Sequence, residues 1–123
     1  MIPSFRIEDK VAIITGSGSG IGKTLALSLA EAGAHIVVTE LPNRLEAAEE
    51  TAREIRELGK QALVVPLDVT DLPSIEQMVE TTQKEFGRID ILINNAGIII
   101  RKKATEVSEQ DWDRVLDINL KGV

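Results

Sequence analysis

The sequence predicts a doubly wound α/β fold, in which a parallel sheet of about four strands carries helices on both faces. Short apolar runs alternate with helical patterns along the chain, and a glycine-dense turn joins the first run to the first helix. The runs are continuously apolar, which is typical of strands buried on both faces of a parallel sheet. Right-handed crossovers then give the strand order 3-2-1-4, with the first two helices on one face and the last two on the other.

The predicted strands cover residues 11–15, 35–40, 61–66 and 90–94. The predicted helices cover residues 21–32, a segment that opens at Pro42-Asn43, a segment with Asp71 and Ser74 as capping candidates, and a segment that starts at Ser108. Gly33, Gly59 and Gly87 follow the first three helical patterns as terminators. No linker or repeat interrupts this order, so we expect residues 1–123 to form one domain.

Composition excludes several classes of function. The formal net charge of −6 argues against a nucleic-acid-binding protein, which would carry a basic face. The absence of cysteine excludes disulfides and thiolate metal sites, and we expect no metal centre. No signal-peptide pattern and no apolar run of membrane-spanning length occurs, so we expect a cytoplasmic protein without a membrane partner.

The turn between the first strand and the first helix points to a phosphate ligand. Residues 15–22 contain four glycines directly after an apolar run and before an Ala- and Leu-rich helical pattern. Glycines let the backbone approach phosphate oxygens, and the N–H groups of a first helical turn point at an anion. The turn therefore predicts a pyrophosphate site of the Rossmann type.

A P-loop is the rival interpretation, because Gly22-Lys23-Thr24 resembles its end. The P-loop pattern requires glycine at position 17, which is Ser17, and counting from Gly16 makes the loop one residue too long. The strict G-x-G-x-x-G fingerprint also fails, because position 21 is Ile21. The spacing that fits is Gly16-x3-Gly20-x-Gly22, and the P-loop protein remains a remote alternative.

Four motifs resemble those of the short-chain dehydrogenase/reductase family, and they occur in that family's order and spacing. They are the turn Thr15-Gly16-x3-Gly20-Ile21-Gly22, Asp68-Val69 after the third strand, Asn94-Asn95-Ala96-Gly97 after the fourth, and Asn119 in the fourth helix. The resemblance spans the whole chain, and the segment from Asn94 to Val123 is most similar to members that act on sugar acids and related polyols, or to 3-oxoacyl reductases. It implies a nicotinamide-dependent oxidoreductase that transfers hydride between the cofactor and a secondary alcohol or ketone.

The resemblance also implies the cofactor contacts. Asp68 would accept from the adenine amino group, and a ribose would lie against Ala96 and Gly97. The predicted cofactor-binding residues are Gly16, Ser19, Gly20, Ile21, Gly22, Glu40, Asp68, Val69, Asn95, Ala96 and Gly97. The amides of Asn94 and Asn95 have a second interpretation, in which they tie neighbouring strand ends together.

Glu40 ends the second strand, where a carboxylate can accept bonds from both ribose hydroxyls and repel a 2′-phosphate. Ser19 and Leu41 stand where NADP-using relatives place a basic residue, so we expect NAD in preference to NADP. Arg44 lies close enough for its long side chain to fold back and favour NADP.

The resemblance implies four catalytic residues, a Ser, a Tyr, a Lys and an Asn. Of these four, only the Asn has a candidate in this chain, which is Asn119. The chain contains no tyrosine, so whether it is an enzyme by itself stays open, and we expect it to be inactive alone. From the resemblance, we expect this sequence to lack the carboxyl-terminal half of the family's fold. The alternative is a dinucleotide-binding or interaction module without catalysis. An unpaired edge at Ile91-Leu92-Ile93 predicts self-association.

Overall fold

The chain forms four parallel strands and three helices over residues 7–97 and 108–110, the part that the computed structural model describes. The strands are β1 (Val11–Ile14), β2 (His35–Glu40), β3 (Ala62–Pro66) and β4 (Ile91–Ile93). The helices are α1 (Gly20–Glu31), α2 (Leu45–Glu57) and α3 (Leu72–Phe86), and a 3-10 turn at Pro42–Arg44 precedes α2. Glu109 and Gln110 have helical backbone, and the rest of the predicted fourth helix lies outside the described residues.

The sheet confirms the predicted topology. Its order is β3-β2-β1-β4, and every neighbouring pair is parallel. β1 lies inside the sheet, and all four of its residues are buried, as its continuously apolar sequence predicts. The carboxyl ends of β1, β2 and β3 and the residues after them reach one edge of the sheet, which is where the glycine turn leaves β1.

Two hydrophobic layers cover the sheet. On one face, side chains of β1 and β2 such as Ile14 and Ile36 pack against alanines of α1 and α2, with Ile55 at the end of the layer. On the other face, Ile13 and Val37 pack against α3 through Met78. Small residues let α1 and α2 approach the sheet closely, so this layer is the more completely buried one. The described helices therefore take the faces that the topology predicted.

Two ends of these elements differ from the prediction because side chains there form hydrogen bonds with backbone groups of other segments. β1 ends at Ile14 because the side chain of Thr15 turns to the residues after β4. Asp71 occupies the N-cap position of α3 but makes no capping hydrogen bond with its side chain. Ser74, the other capping candidate, accepts a hydrogen bond from the N–H of Asp68 at 3.0 Å instead.

Candidate functional site

The glycine turn after β1 brings the chain to the start of α1. Gly16 has a φ of +66° and Gly20 a φ of +58°, a backbone conformation that side-chain-bearing residues rarely adopt. A Cβ atom on Gly16 would lie 3.1 Å from the Cα of Ala96, whereas one on Gly20 would meet nothing within 4 Å. The turn is therefore packed on its inner side and open on its outer side.

The N-terminus of α1 faces this open side. Ser19 is the N-cap residue, yet its side chain makes no capping hydrogen bond, and the first turn of α1 contains no acidic residue. Ile21, in the same turn, is 74% exposed, which is unusual for a large apolar side chain. The uncapped N–H groups and the positive end of the helix dipole suit an anion.

Close approach between α1 and the turn requires Gly22. A Cβ atom there would lie 2.3 Å from the carbonyl oxygen of Gly16 and 2.5 Å from Nδ2 of Asn95. The amide of Asn95 donates to the carbonyl oxygen of Gly16 at 3.2 Å. The side-chain amide of Asn95 thus connects the segment after β4 to the turn after β1, as its second interpretation proposed.

Glu40 ends β2 with a carboxylate that is almost fully buried. Oε2 accepts the N–H of Gly18 at 3.1 Å, and Oε1 accepts the N–H of Leu41 at 3.3 Å. A guanidinium nitrogen of Arg44 lies 3.9 Å from Oε1. The carboxylate thus joins the glycine turn to the end of β2 while it lines the cleft described below.

Arg44 folds back over this region, as its length suggested. Its Nη2 donates to the hydroxyl of Ser19 at 3.1 Å, so the guanidinium bridges the glycine turn and the segment after β2. The side chain remains half-exposed. A cation at this position would attract an anionic group of a ligand that lies between Ser19 and Glu40.

Asp68 follows β3 and caps its own loop. Its Oδ1 accepts from the hydroxyl of Thr70 at 2.6 Å and from the N–H of Thr70 at 2.9 Å. These two hydrogen bonds lower the pKa of the Asp68 carboxyl below its ordinary value, the hydroxyl having the larger effect. Both bonds go to Oδ1, and Oδ2 makes no hydrogen bond to a residue that the structure describes.

One cleft brings the strand ends together at this edge of the sheet. Its lining residues are Gly16, Ser19, Glu40, Leu41, Arg44, Leu67, Asp68, Val69, Asn95, Ala96 and Gly97. The predicted residues Gly20, Ile21 and Gly22 lie beside this cleft in the first turn of α1 and are not part of its lining. Asn119 lies outside the described residues.

Sequence reasoning missed some residues of the site. Gly18 was treated as a spacer in the turn, but a Cβ there would lie 2.6 Å from Cγ of Glu40. The sequence signal was glutamate at position 40, because its side chain is longer than that of aspartate and requires more room in the turn beside it. Leu41 and Leu67 also line the cleft, as strand-end neighbours of predicted residues.

Two residues that invite other interpretations have structural partners. Nζ of Lys23 lies 2.6 Å from Oε2 of Glu54 on α2, and neither residue lines the cleft. His35 lies at the opposite edge of the sheet, where its ring stacks on Phe86 with centroids 5.9 Å apart. Within residues 7–97 and 108–110 no group of three or more His, Cys, Asp or Glu side chains is arranged to hold a metal ion.

A glycine turn, an uncapped helix N-terminus and a cleft at the carboxyl ends of parallel strands define a dinucleotide-binding α/β fold. The family model for short chain dehydrogenases matches residues 10–123. The chain therefore belongs to the short-chain dehydrogenase family, whose members bind nicotinamide cofactors.

Characterised relatives and solved structures agree with this assignment. The chain is 39% identical over 123 residues to 2-dehydro-3-deoxy-D-gluconate 5-dehydrogenase from Dickeya dadantii, and the match covers 100% of this chain and 47% of that protein. A short-chain type dehydrogenase/reductase from Mycobacterium marinum superposes with a TM-score of 0.91 at 35% identity, over 99% of this chain and 49% of that one.

A 7α-hydroxysteroid dehydrogenase, solved in complex with NADH and 7-oxo glycochenodeoxycholic acid, superposes with a TM-score of 0.89 at 34% identity. That match covers 98% of this chain and 46% of the enzyme's chain. The chain thus spans about half the length of the relatives that it matches. None of the helices in the described part of the chain is long and apolar enough to cross a membrane.

Proposed function

We propose that this chain is the NAD-binding part of a short-chain dehydrogenase that transfers hydride between the cofactor and a secondary alcohol or ketone. The observation that carries the proposal is the cleft in which the glycine turn, Glu40, Asp68 and the segment from Asn95 to Gly97 converge. Such a crevice at the carboxyl ends of parallel strands is where doubly wound sheets bind their ligands.

The residues present fit the cofactor's pyrophosphate. Gly20 leaves open space above the start of α1, and the N–H groups there have no side-chain cap from Ser19. The pyrophosphate would accept from these N–H groups, and the cofactor would supply the hydride acceptor of the reaction. The ion pair of Lys23 with Glu54 favours this interpretation over a P-loop, in which the lysine must reach the phosphates.

The adenosine end would lie between Glu40 and Asp68. The carboxylate of Glu40 retains lone pairs beyond its two backbone donors, and these can accept from ribose hydroxyls. Oδ2 of Asp68 is the oxygen available to the adenine amino group. The buried negative charge of Glu40 disfavours a 2′-phosphate, so NAD is the preferred cofactor.

Calorimetric titration with NADH and with NADPH tests both the ligand class and the preference. We expect tighter binding of NADH, and tighter binding of NADPH would refute the preference. Arg44→Ala should weaken NADPH binding more than NADH binding, because its guanidinium is a cation 3.9 Å from the Glu40 carboxylate. The matched control is Arg53→Ala, which removes an exposed arginine paired with Glu50 and Glu57 on α2.

Catalysis by these 123 residues alone is not expected. The family's acid/base is a tyrosine, and the sequence contains none, so Asn119 would be the sole member of its catalytic set here. Turnover by the purified chain with NAD and simple alcohols, measured by absorbance of NADH, would contradict this. A dinucleotide-binding module without catalysis is the second candidate, and it is favoured by the same absence.

For the whole protein we propose a sugar acid or related polyol as the substrate class. The support is the 39% identity to the gluconate-derivative dehydrogenases of Dickeya dadantii and Escherichia coli. The test is NAD-linked oxidation across sugar acids and simple secondary alcohols by the protein that contains this chain. Activity restricted to hydroxysteroids would overturn the proposal. A cytoplasmic location stays a prediction from the sequence.

A further inference from the structure

The glycine turn is held against β2 by residues that the cofactor prediction did not assign to that task. The N–H of Ser17 donates to the carbonyl oxygen of Thr39 at 2.9 Å, and its hydroxyl accepts the N–H of Thr39 at 3.1 Å. The next residue, Gly18, donates its N–H to Oε2 of Glu40. Two consecutive residues of the turn are thus fixed to the last two residues of β2.

Gly18 differs from the other glycines of the turn in the reason for its presence. It is not among the glycines with positive φ, so its backbone would accept alanine without strain. A Cβ atom there would lie 2.6 Å from Cγ of Glu40, 2.8 Å from Oε2 of Glu40 and 3.1 Å from Cβ of Ala47. The side chain of Glu40 is therefore the main obstacle to a larger residue at position 18.

The burial of Glu40 makes its carboxylate dependent on nearby hydrogen-bond donors. Only 5% of the residue is exposed, and a buried carboxylate needs donors for its charge. It obtains them from the N–H groups of Gly18 and Leu41, with Arg44 3.9 Å away. Hydrogen bonds to an ionised acceptor are the stronger kind, so this contact can fix a loop.

We infer that Glu40 is a positioning residue for the phosphate-binding turn, and that Gly18 is matched to it in size. Its carboxylate holds the turn at the distance from β2 at which α1 begins directly beside the cleft. This inference rests on the proposed cofactor site and adds a second task to the contact of Glu40 with ribose.

A double-mutant cycle tests the match. The variants are Gly18→Ala, Glu40→Ala and the pair of them, and each is measured by NADH affinity and by the urea midpoint without ligand. In the original background, Gly18→Ala should raise the Kd for NADH by about tenfold and lower the urea midpoint, because its Cβ displaces the Glu40 side chain. In the Glu40→Ala background the same change should raise the Kd by less than about threefold, since the obstacle is gone.

Equal cost of Gly18→Ala in both backgrounds would overturn the inference. Should Gly18→Ala alone fail to fold, recovery of folding in the double variant would support the match, and continued failure would overturn it. Should the chain not bind NADH at all, the proposed function fails, whereas the urea midpoints still decide whether residues 18 and 40 are coupled.

Glu40→Gln separates positioning from packing. Its amide oxygen can still accept the N–H of Gly18, so it should retain more NADH affinity than Glu40→Ala. Glu40→Leu keeps similar bulk without an acceptor, so a purely space-filling role predicts equal urea midpoints without ligand for the Gln and Leu variants, and that result would contradict the positioning role. Glu49→Ala, on an exposed position of α2, is the control for loss of a carboxylate and should leave the Kd unchanged.

Discussion

The hydroxyl of Thr15 accepts a hydrogen bond from the main-chain N–H of Asn95 at 2.8 Å. It also accepts the N–H of Ala96 at 2.9 Å, while the N–H of Thr15 donates to the carbonyl oxygen of Ile93 at 3.0 Å. The buried side chain of Thr15 thus takes the place of the next backbone hydrogen bonds between β1 and β4. It fixes the segment after β4 as one wall of the cleft.

Thr15→Val should destabilise the chain, because it leaves two N–H groups at a partly buried position without their acceptor. The expected loss in free energy of unfolding is about 1–3 kcal/mol, measured by urea denaturation. Thr15→Ser keeps the hydroxyl and is the control. If the valine variant loses no more stability than the serine variant, the two hydrogen bonds to the hydroxyl do not account for the stability that Thr15 provides.

Gly22→Ala should destabilise the chain by about 1–3 kcal/mol through overpacking, because its Cβ would overlap the carbonyl oxygen of Gly16. It should also weaken NADH binding, since the start of α1 must move away from the turn. Gly59→Ala is the contrast: its φ of +83° costs backbone strain, but its site is open and remote from the cleft. Loss of NADH affinity in both variants would show a general effect of unfolding.

Arg88→Met should shift the acid limb of unfolding to higher pH. The guanidinium of Arg88 is bidentate on Asp90, with both distances 2.7 Å, and Oδ2 also accepts the N–H of Val11. These contacts, Arg88 foremost, hold the pKa of Asp90 below its ordinary value in the folded chain. The stabilisation is therefore present above the unfolded pKa of about 4 and is lost as the pH falls through the lowered folded value.

The measurement for Arg88→Met is the free energy of unfolding from neutral pH down through the acid transition. Lys84→Met is the control, because Lys84 is a cation of α3 that does not contribute to the shifted pKa of Asp90. If both variants shift the acid limb equally, net charge explains the effect rather than the contact with Asp90.

Leu92→Lys should reduce self-association of the chain. β4 pairs with β1, and no other described strand pairs with it, while Leu92 is 54% exposed. A lysine on an edge strand opposes edge-to-edge pairing. Light scattering at micromolar concentration gives the mass, and Leu72→Lys on α3, where Leu72 is 64% exposed, is the matched control. A monomeric unmodified chain would refute the predicted self-association.

The sequence predicts the strands of this fold well because burial on both faces leaves a local signal. β1 is apolar throughout and β2 is apolar over residues 36–38, and each strand is buried almost throughout. The ends were less predictable, because they depend on distant partners. Nothing near Thr15 in the sequence indicates that its hydroxyl binds residues 80 positions further on.

The residues of the candidate site likewise divide into those with a local sequence signal and those that depend on distant partners. Gly16 and Glu40 could be predicted from residue type and position, since Gly16 belongs to the glycine turn after β1 and Glu40 places a carboxylate at the end of β2. The role of Gly18 becomes visible only when the glycine turn and the end of β2 are brought together. The length of Arg44 suggested that it folds back, but its hydrogen bond to Ser19 is seen only in the structure. Ser74 was misassigned because a hydroxyl near a helix start can serve either the helix or the preceding loop.

The unequal layers on the two sides of the sheet have a consequence for motion. Alanines of α1 and α2 seal one face, whereas only Met78 and Thr82 of α3 are buried on the other. Local opening follows contact density, so amide protons of α3 should exchange with deuterium faster than those of β1 and β2. The glycine turn is hydrogen-bonded to β2 through Ser17 and Gly18, so we expect it to keep its shape while α3 opens and closes.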